Sequence, residues 1–313
     1  MSLRIVIFGA GGVGGYFGAR LAAAGNNVTF VARGAHLDAI RKYGLRILSP
    51  LGDLEITKAN AVDNVAHVVE ADFVLLSVKL WDTEAAAPQL SSLAQRGAAV
   101  ISLQNGVQKE QLLLKHLPSQ SVMGGVSYIS AAIEEPGVIR HFGPIQNLVF
   151  GELDGAQSRR SMALYAACQE ARIGARISDD IEREIWEKFV FLVGLSATTA
   201  TIRQPIGPIR TNPRTRSFLL DVMQETVNVG RASGIRLAED FSESRLAFCD
   251  GLPADMLASM YQDLLRGNRL ELPWLSGAVV ALGQQKGLTT PCNRAVADIL
   301  ELYVQGTQAD QRH

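Results

Sequence analysis

Residues 4–25 read RIVIFGAGGVGGYFGARLAAAG. The run opens with a short β-branched apolar stretch, passes through a cluster of glycines and returns to a helix-compatible pattern. A strand, then Gly9-x-Gly11-x-x-Gly14, then a helix is the fingerprint of a dinucleotide-binding βα unit. Gly9 permits the tight turn, Gly11 lets backbone come close to a pyrophosphate, and Gly14 lets helix and strand pack closely. The N–H groups at the helix start then face the anion, which puts Gly9, Gly11, Gly12 and Gly14 at a nucleotide. A Gly-rich structural turn is the plainer reading of the glycines alone. The strand before them and the helix after them decide for the nucleotide.

Working outward, NVTFVA (27–32), DFVLLSV (72–78) and AAVISL (98–103) repeat the pattern of short apolar runs, as parallel strands buried on both faces do. VMGGVSYISA (122–131), VIRHFG (138–143), NLVFGE (147–152) and ARIS (175–178) are further strand candidates, with Pro136, Gly137 and Gly143 as turn punctuation. Beyond Asp179 the period becomes helical: Ile181 to about Thr201, Phe218 to Ser233, Ala254 to Leu265, Trp274 to Lys286 and Asn293 to Val304. The expected architecture is α/β: an N-terminal Rossmann-type domain over residues 1–178, then an all-helical domain over 179–313. The helix from Ile181 is expected to leave the first domain directly and to line a ligand cleft between the two.

Composition narrows the class of partner. With 47% hydrophobic and 19% charged residues the chain can build sizeable cores, and a net charge of -1 supplies no field for nucleic acid or an anionic membrane. The N-terminal charge-free run, Ile5 to Ala19, is too short and too glycine-rich for a membrane span. Cys168, Cys249 and Cys292 are odd in number and widely spaced, which argues against a disulfide framework and a zinc site. A cytoplasmic protein with a small-molecule partner and no metal is the expectation.

The second strand ends in VTFVARGAH (28–36), where an NAD site usually carries an acidic residue for the ribose 2′-hydroxyl. Here Arg33 stands there, and a guanidinium suits a 2′-phosphate, so NADP(H) is favoured over a merely solvated arginine. The strand ends LLSVKLWDT (75–83) and ISLQNGV (101–107) put Lys79 and Asn105 at the carboxyl edge of the sheet, where such sheets bind ligands. Lys79 reads equally as a solvated turn lysine, and Gln104-Asn105-Gly106 as a turn favouring positive φ. The run IWEKFVFLVGLSATTATIR (185–203) carries Lys188 near its head. Glu184 lies one helical turn earlier, and by itself that spacing favours an ordinary surface pair.

Taken together, Gly9, Gly11 and Gly14, Arg33, SVKLW (77–81), QNG (104–106), PGVIRHFG (136–143), WEKF (186–189) and SMYQDLLRGNRLE (259–271) resemble the ketopantoate reductase (2-dehydropantoate 2-reductase) family over nearly the whole chain. The resemblance implies an NADPH-binding Rossmann domain followed by a helical domain, and reduction of the keto group of ketopantoate on the way to pantothenate. It implies Lys188 as the catalytic lysine, Glu271 as its carboxylate partner and Ser259 as a substrate-binding serine. Lys79 and Asn105 then lie on the nicotinamide side, with Asn105 also near the substrate, and Arg33 selects the cofactor. In chemical terms, hydride delivered to a ketone leaves negative charge on oxygen, and a fixed ammonium can polarise the carbonyl and protonate the alkoxide.

One departure concerns the substrate. The family typically presents asparagines four and eight residues after the catalytic lysine, and this chain has Leu192 and Ser196. On a helix these lie roughly 40° and 80° round from Lys188, so they remain candidate substrate contacts on a more apolar wall, with Thr198 or Thr199 as possible substitutes for the lost amides. The expected reaction is NADPH-dependent reduction of ketopantoate or a less polar 2-oxoacid by a homodimer. The rivals are another 6-phosphogluconate dehydrogenase-like enzyme, such as a β-hydroxyacid or opine dehydrogenase, and a non-catalytic NADPH-binding regulator. Phe191 stands where a β-hydroxyacid dehydrogenase would show asparagine, and retention of Lys188, Glu271 and Ser259 argues against a regulator.

Overall fold

The computed structural model describes residues 2–306. The chain divides into two compact units, one up to Glu184 and one from Ile185 onward. The first unit contains β1 (Arg4–Phe8), α1 (Gly12–Ala23), β2 (Asn27–Val31), α2 (Gly34–Tyr43), β3 (Leu45–Leu48), β4 (Leu54–Ile56), β5 (Asn60–Val62) and β6 (Phe73–Leu76). It continues through α3 (Thr83–Ala86), α4 (Ser91–Gln95), β7 (Ala99–Ser102), α5 (Lys109–Leu114), β8 (Val122–Glu135), β9 (Val138–Glu152), α6 (Arg159–Glu170) and β10 (Gly174–Ile177).

All ten strands join one sheet in the order β4-β3-β9-β8-β7-β6-β1-β2-β5, with β10 beside β9. β7, β6, β1 and β2 run parallel to one another, so their carboxyl ends share one edge. Their continuous apolar runs follow from burial on both faces. Ile5 and Ile7 point into a core shared with Phe17, Leu21 and Phe30, while Val6 and Phe8 point into a second core with Val31, Leu93 and Val100. α1 lies very close to the sheet: a Cβ on Gly14 would fall 2.4 Å from the Gly9 carbonyl oxygen, and one on Gly18 would fall 2.6 Å from both Ile7 and Phe30.

The strand candidates 138–143 and 147–152 form one strand. The β8–β9 hairpin turns at Pro136-Gly137, with Gly137 at φ 82, as a type II turn requires. The expected break at Gly143 is absent because Gly143 (φ 73) opens a bulge, across which the register shifts between Ile129 and Ser130.

From the second unit come α8 (Ile206–Thr211), α9 (Pro213–Ala232), α10 (Phe241–Asp250), α11 (Ser259–Leu265), α12 (Ser276–Gln285) and α13 (Pro291–Leu300). α7 (Ile181–Ile202) begins in the first unit and continues into the second. α11 starts later than the expected Ala254, because residues 254–258 form a turn and loop in which the carbonyls of Ala254 and Met256 accept from the N–H groups of Gly207 and Ile206. α7 is long and apolar enough to cross a bilayer, but 67% of its apolar window is buried in protein. Its tight face is against α9, where a Cβ on Gly194 would lie 2.6 Å from Met223 and Trp186 crosses Gly230.

Candidate active site

Four loops leave the shared carboxyl edge of the first unit. In sheet order they carry Asn105 after β7, Lys79 after β6, the glycine loop after β1 and Arg33 after β2. The sequence-predicted residues of this unit are therefore brought to one edge, in a row.

The glycine loop leaves room for a pyrophosphate. Gly9 takes φ 102, and a Cβ there would meet the Val78 backbone nitrogen at 2.7 Å, so only glycine fits. A Cβ on Gly11 would meet nothing within 4 Å, which leaves its outer side open to a ligand. Gly12 is closed from the other side, since its Cβ would strike the Ala131 carbonyl of β8 at 2.2 Å. α1 has neither a side-chain cap nor an acidic residue in its first turn, so the positive end of the helix is left for an anion. These features fit the phosphates of a dinucleotide.

His36 fixes the loop from behind. The Gly137 N–H donates to its Nδ1 (3.1 Å), so the proton sits on Nε2, which lies 2.8 Å from the Ala10 carbonyl. One imidazole thus ties the glycine loop to the turn of the β8–β9 hairpin. Burial pushes its pKa below the ordinary imidazole value, against the opposing effect of the Ala10 bond.

Arg33 begins α2 as its N-cap. Its side chain is 87% exposed, as the surface reading expects, but it is not isolated: Nη2 lies 3.3 Å from Asp82 Oδ2. Lys79 is exposed, with Nζ 5.5 Å from the centroid of the Trp81 ring. Asn105 is half-buried, and the positive φ of its turn falls on Gly106 (89).

A buried polar network missed by the sequence reading joins these two loops. Gln104 is 7% exposed; its Nε2 donates to Val78 O (2.8 Å) and Thr83 Oγ1 (2.7 Å), and its Oε1 accepts from Ser102 Oγ (2.9 Å). The amide therefore ties the residue before Lys79 to the residue before Asn105. Below it, Lys109 is 1% exposed and donates to Ser102 O, Gly125 O and the Glu110 carboxylate. The signal available was Gln104 at a strand end and a lysine within VQKEQ (107–111), but neither names its partners in advance.

In the second unit, α7 carries Lys188 and Leu192, both half-buried, and Ser196, which is 1% exposed and whose hydroxyl has no hydrogen-bond partner among the described residues. Glu184, the surface partner that spacing offers Lys188, is itself buried, and Arg176 holds its carboxylate at 2.8 Å. Thr198 and Thr199 are fully buried and donate to the Gly194 and Leu195 carbonyls, so their protons are spent on their own helix. Ser259 is exposed at the first position of α11, and Glu271 is 6% exposed just before a one-turn helix at Leu272–Trp274.

Residues 5–155 match the family model described as ketopantoate reductase PanE/ApbA, and residues 180–304 match its C-terminal companion. The 2-dehydropantoate 2-reductase of Halobacterium salinarum is 32% identical over 301 residues, covering 96% of this chain and 98% of that one. The crystal structure of a PanE/ApbA family ketopantoate reductase from Ralstonia eutropha superposes with a TM-score of 0.88 at 32% identity, over 99% of this chain and 100% of that one. A D-mandelate dehydrogenase solved with NADH and anilino(oxo)acetate shares the fold, with a TM-score of 0.86 at 23% identity over 96% and 98% of the two chains.

Proposed function

The chain belongs to the ketopantoate reductase family and is an oxidoreductase; from that premise we propose that it reduces a 2-oxoacid with NADPH, 2-dehydropantoate to pantoate or a less polar relative. The observation that carries the cofactor half is the row of Asn105, Lys79, the open glycine loop and Arg33 along one sheet edge. A dinucleotide laid along it meets a cation at the adenosine ribose, free N–H groups at the pyrophosphate, and Lys79 and Asn105 at the nicotinamide ribose. When bound there, the cofactor supplies the hydride.

Lys188 polarises the substrate carbonyl and gives its proton to the oxygen as negative charge develops. Glu271 orients that ammonium or accepts from a substrate hydroxyl, and Ser259 donates to the substrate carboxylate. A carboxylate as buried as Glu271 is held in place, as an orienting role demands. The enzyme works in the cytoplasm as a homodimer, within pantothenate biosynthesis when 2-dehydropantoate is the substrate.

Leu192 favours an apolar side chain on that substrate. A leucine cannot pair with a hydroxyl, and a hydroxyl buried without a partner costs about 1 to 3 kcal/mol. Ser196 supplies one hydroxyl in place of an amide, and Thr198 and Thr199 supply no free proton. The test is oxidation of NADPH by 2-dehydropantoate, by 2-oxoisovalerate and by amino-acid plus oxoacid pairs, with reduction of NADP+ by 3-hydroxyacids followed separately. Turnover of the first two supports the reading; turnover only of the others moves the chain's reaction to a β-hydroxyacid or opine dehydrogenase. No turnover with tight NADPH binding would make it a regulator.

A further inference from the structure

We propose that Asp82 sets the strength of the cofactor preference, by holding a carboxylate against the guanidinium that reads the 2′-phosphate. The proposal rests on the reading of Arg33 as the 2′-phosphate ligand. Asp82 Oδ2 lies 3.3 Å from Arg33 Nη2, and among the described residues it is the carboxylate paired with that arginine. The pair joins the loop after β2 to the loop after β6.

The position of Asp82 is built. It ends a one-turn helix over Leu80–Asp82, and its N–H donates to the Lys79 carbonyl at 2.9 Å. Leu80 on one side is buried, and Thr83 on the other is fully buried and held by Gln104. The turn that displays Lys79 therefore also fixes the backbone from which the Asp82 carboxylate reaches Arg33.

Two effects compete when a 2′-phosphate arrives. The carboxylate can hold the guanidinium ready, but an exposed pair of this kind is worth at most about a fivefold change in an equilibrium. Against that, a phosphate of nearly two negative charges and a carboxylate gripped by one guanidinium lie within roughly 6 Å of each other, a repulsion worth about tenfold even at the dielectric constant of water. Repulsion wins. For the unphosphorylated cofactor the sign reverses, because a ribose 2′-hydroxyl is a donor and a carboxylate is its usual acceptor. Asp82 therefore weakens NADPH, supports NADH and narrows the preference that Arg33 creates.

The experiment is equilibrium titration of NADPH and of NADH, without substrate, against wild type, Asp82→Asn, Asp82→Ala and Arg33→Ala. The expected result is that both Asp82 variants tighten NADPH by about two- to tenfold without tightening NADH, so the ratio of the two Kd values rises. Arg33→Ala should collapse that ratio towards one. If Arg33→Ala collapses the ratio and neither Asp82 variant raises it, Asp82 has no such role and the Arg33 reading stands. If Arg33→Ala leaves the ratio unchanged, the arginine reading fails and the proposal falls with it.

Discussion

Lys188 is half-buried on α7, on a turn whose earlier carboxylate, Glu184, is held by Arg176. If it is the proton donor, Lys188→Ala keeps the fold and NADPH binding and loses roughly 10² to 10⁴ in kcat; near-normal turnover would restore the surface-lysine reading. Leu192 sets a second expectation: 2-oxoisovalerate should equal or exceed 2-dehydropantoate in kcat/KM, and Leu192→Asn should shift preference towards 2-dehydropantoate. A wild-type preference for 2-dehydropantoate of about 100-fold, roughly 2.7 kcal/mol, would show the pocket to be polar despite the leucine. At this scale the sequence was legible wherever chemistry is local. The glycines, Arg33 and the strand-end Lys79 and Asn105 announce themselves by position in a βα unit. Gln104 and Asp82 do not, because what each does is set by a partner on another strand's loop: Val78 and Thr83 for the one, Arg33 for the other.

α1 and the β8–β9 hairpin meet around the glycine loop, and both contacts can be tested by unfolding. Gly18→Ala would put a methyl group 2.6 Å from Ile7 and Phe30, so it should cost about 1 to 3 kcal/mol in urea denaturation. His36 adds a dependence on pH. Its folded pKa lies below the unfolded value of about 6.5, so above that pH neither state binds the proton and stability is unaffected. As pH falls below it, the unfolded chain takes up a proton that the folded one resists, and stability declines. His141, buried and also depressed chiefly by burial, acts in the same sense, while Glu182, raised by burial, opposes it. The urea midpoint of wild type should therefore fall between pH 7 and 5 more steeply than that of His36→Gln; equal slopes would remove His36 from the account. Elements with long periodic patterns were legible, and short ones were not. β3, β4 and β5 have few residues and are strands because β3 pairs with β9, β4 with β3 and β5 with β2. α11 begins late because α8 borrows the carbonyls before it, a contact across some fifty residues of sequence.

Across the whole molecule, the sheet is not assembled in the order in which the chain is written. β1, β2 and β6 find neighbours among the first hundred residues, but β3 pairs with β9, Arg46 opposite Val138 and Leu48 opposite Arg140. A chain growing from a ribosome therefore carries β3, paired with β4 alone, cut off from the rest of the sheet until the far arm of the hairpin has been synthesised and has left the exit tunnel. Pairings of such long sequence separation are slow to form, and an unpaired strand edge invites association with other chains. A nascent chain arrested so that only residues up to Gly137 have emerged should be cleaved readily by protease around β3 and β4 and should be held by chaperones. One arrested after β10 has emerged should resist cleavage there. The late arrival of a single strand thus sets a vulnerable interval in biosynthesis, during which more than a third of the polypeptide waits for the piece that completes it.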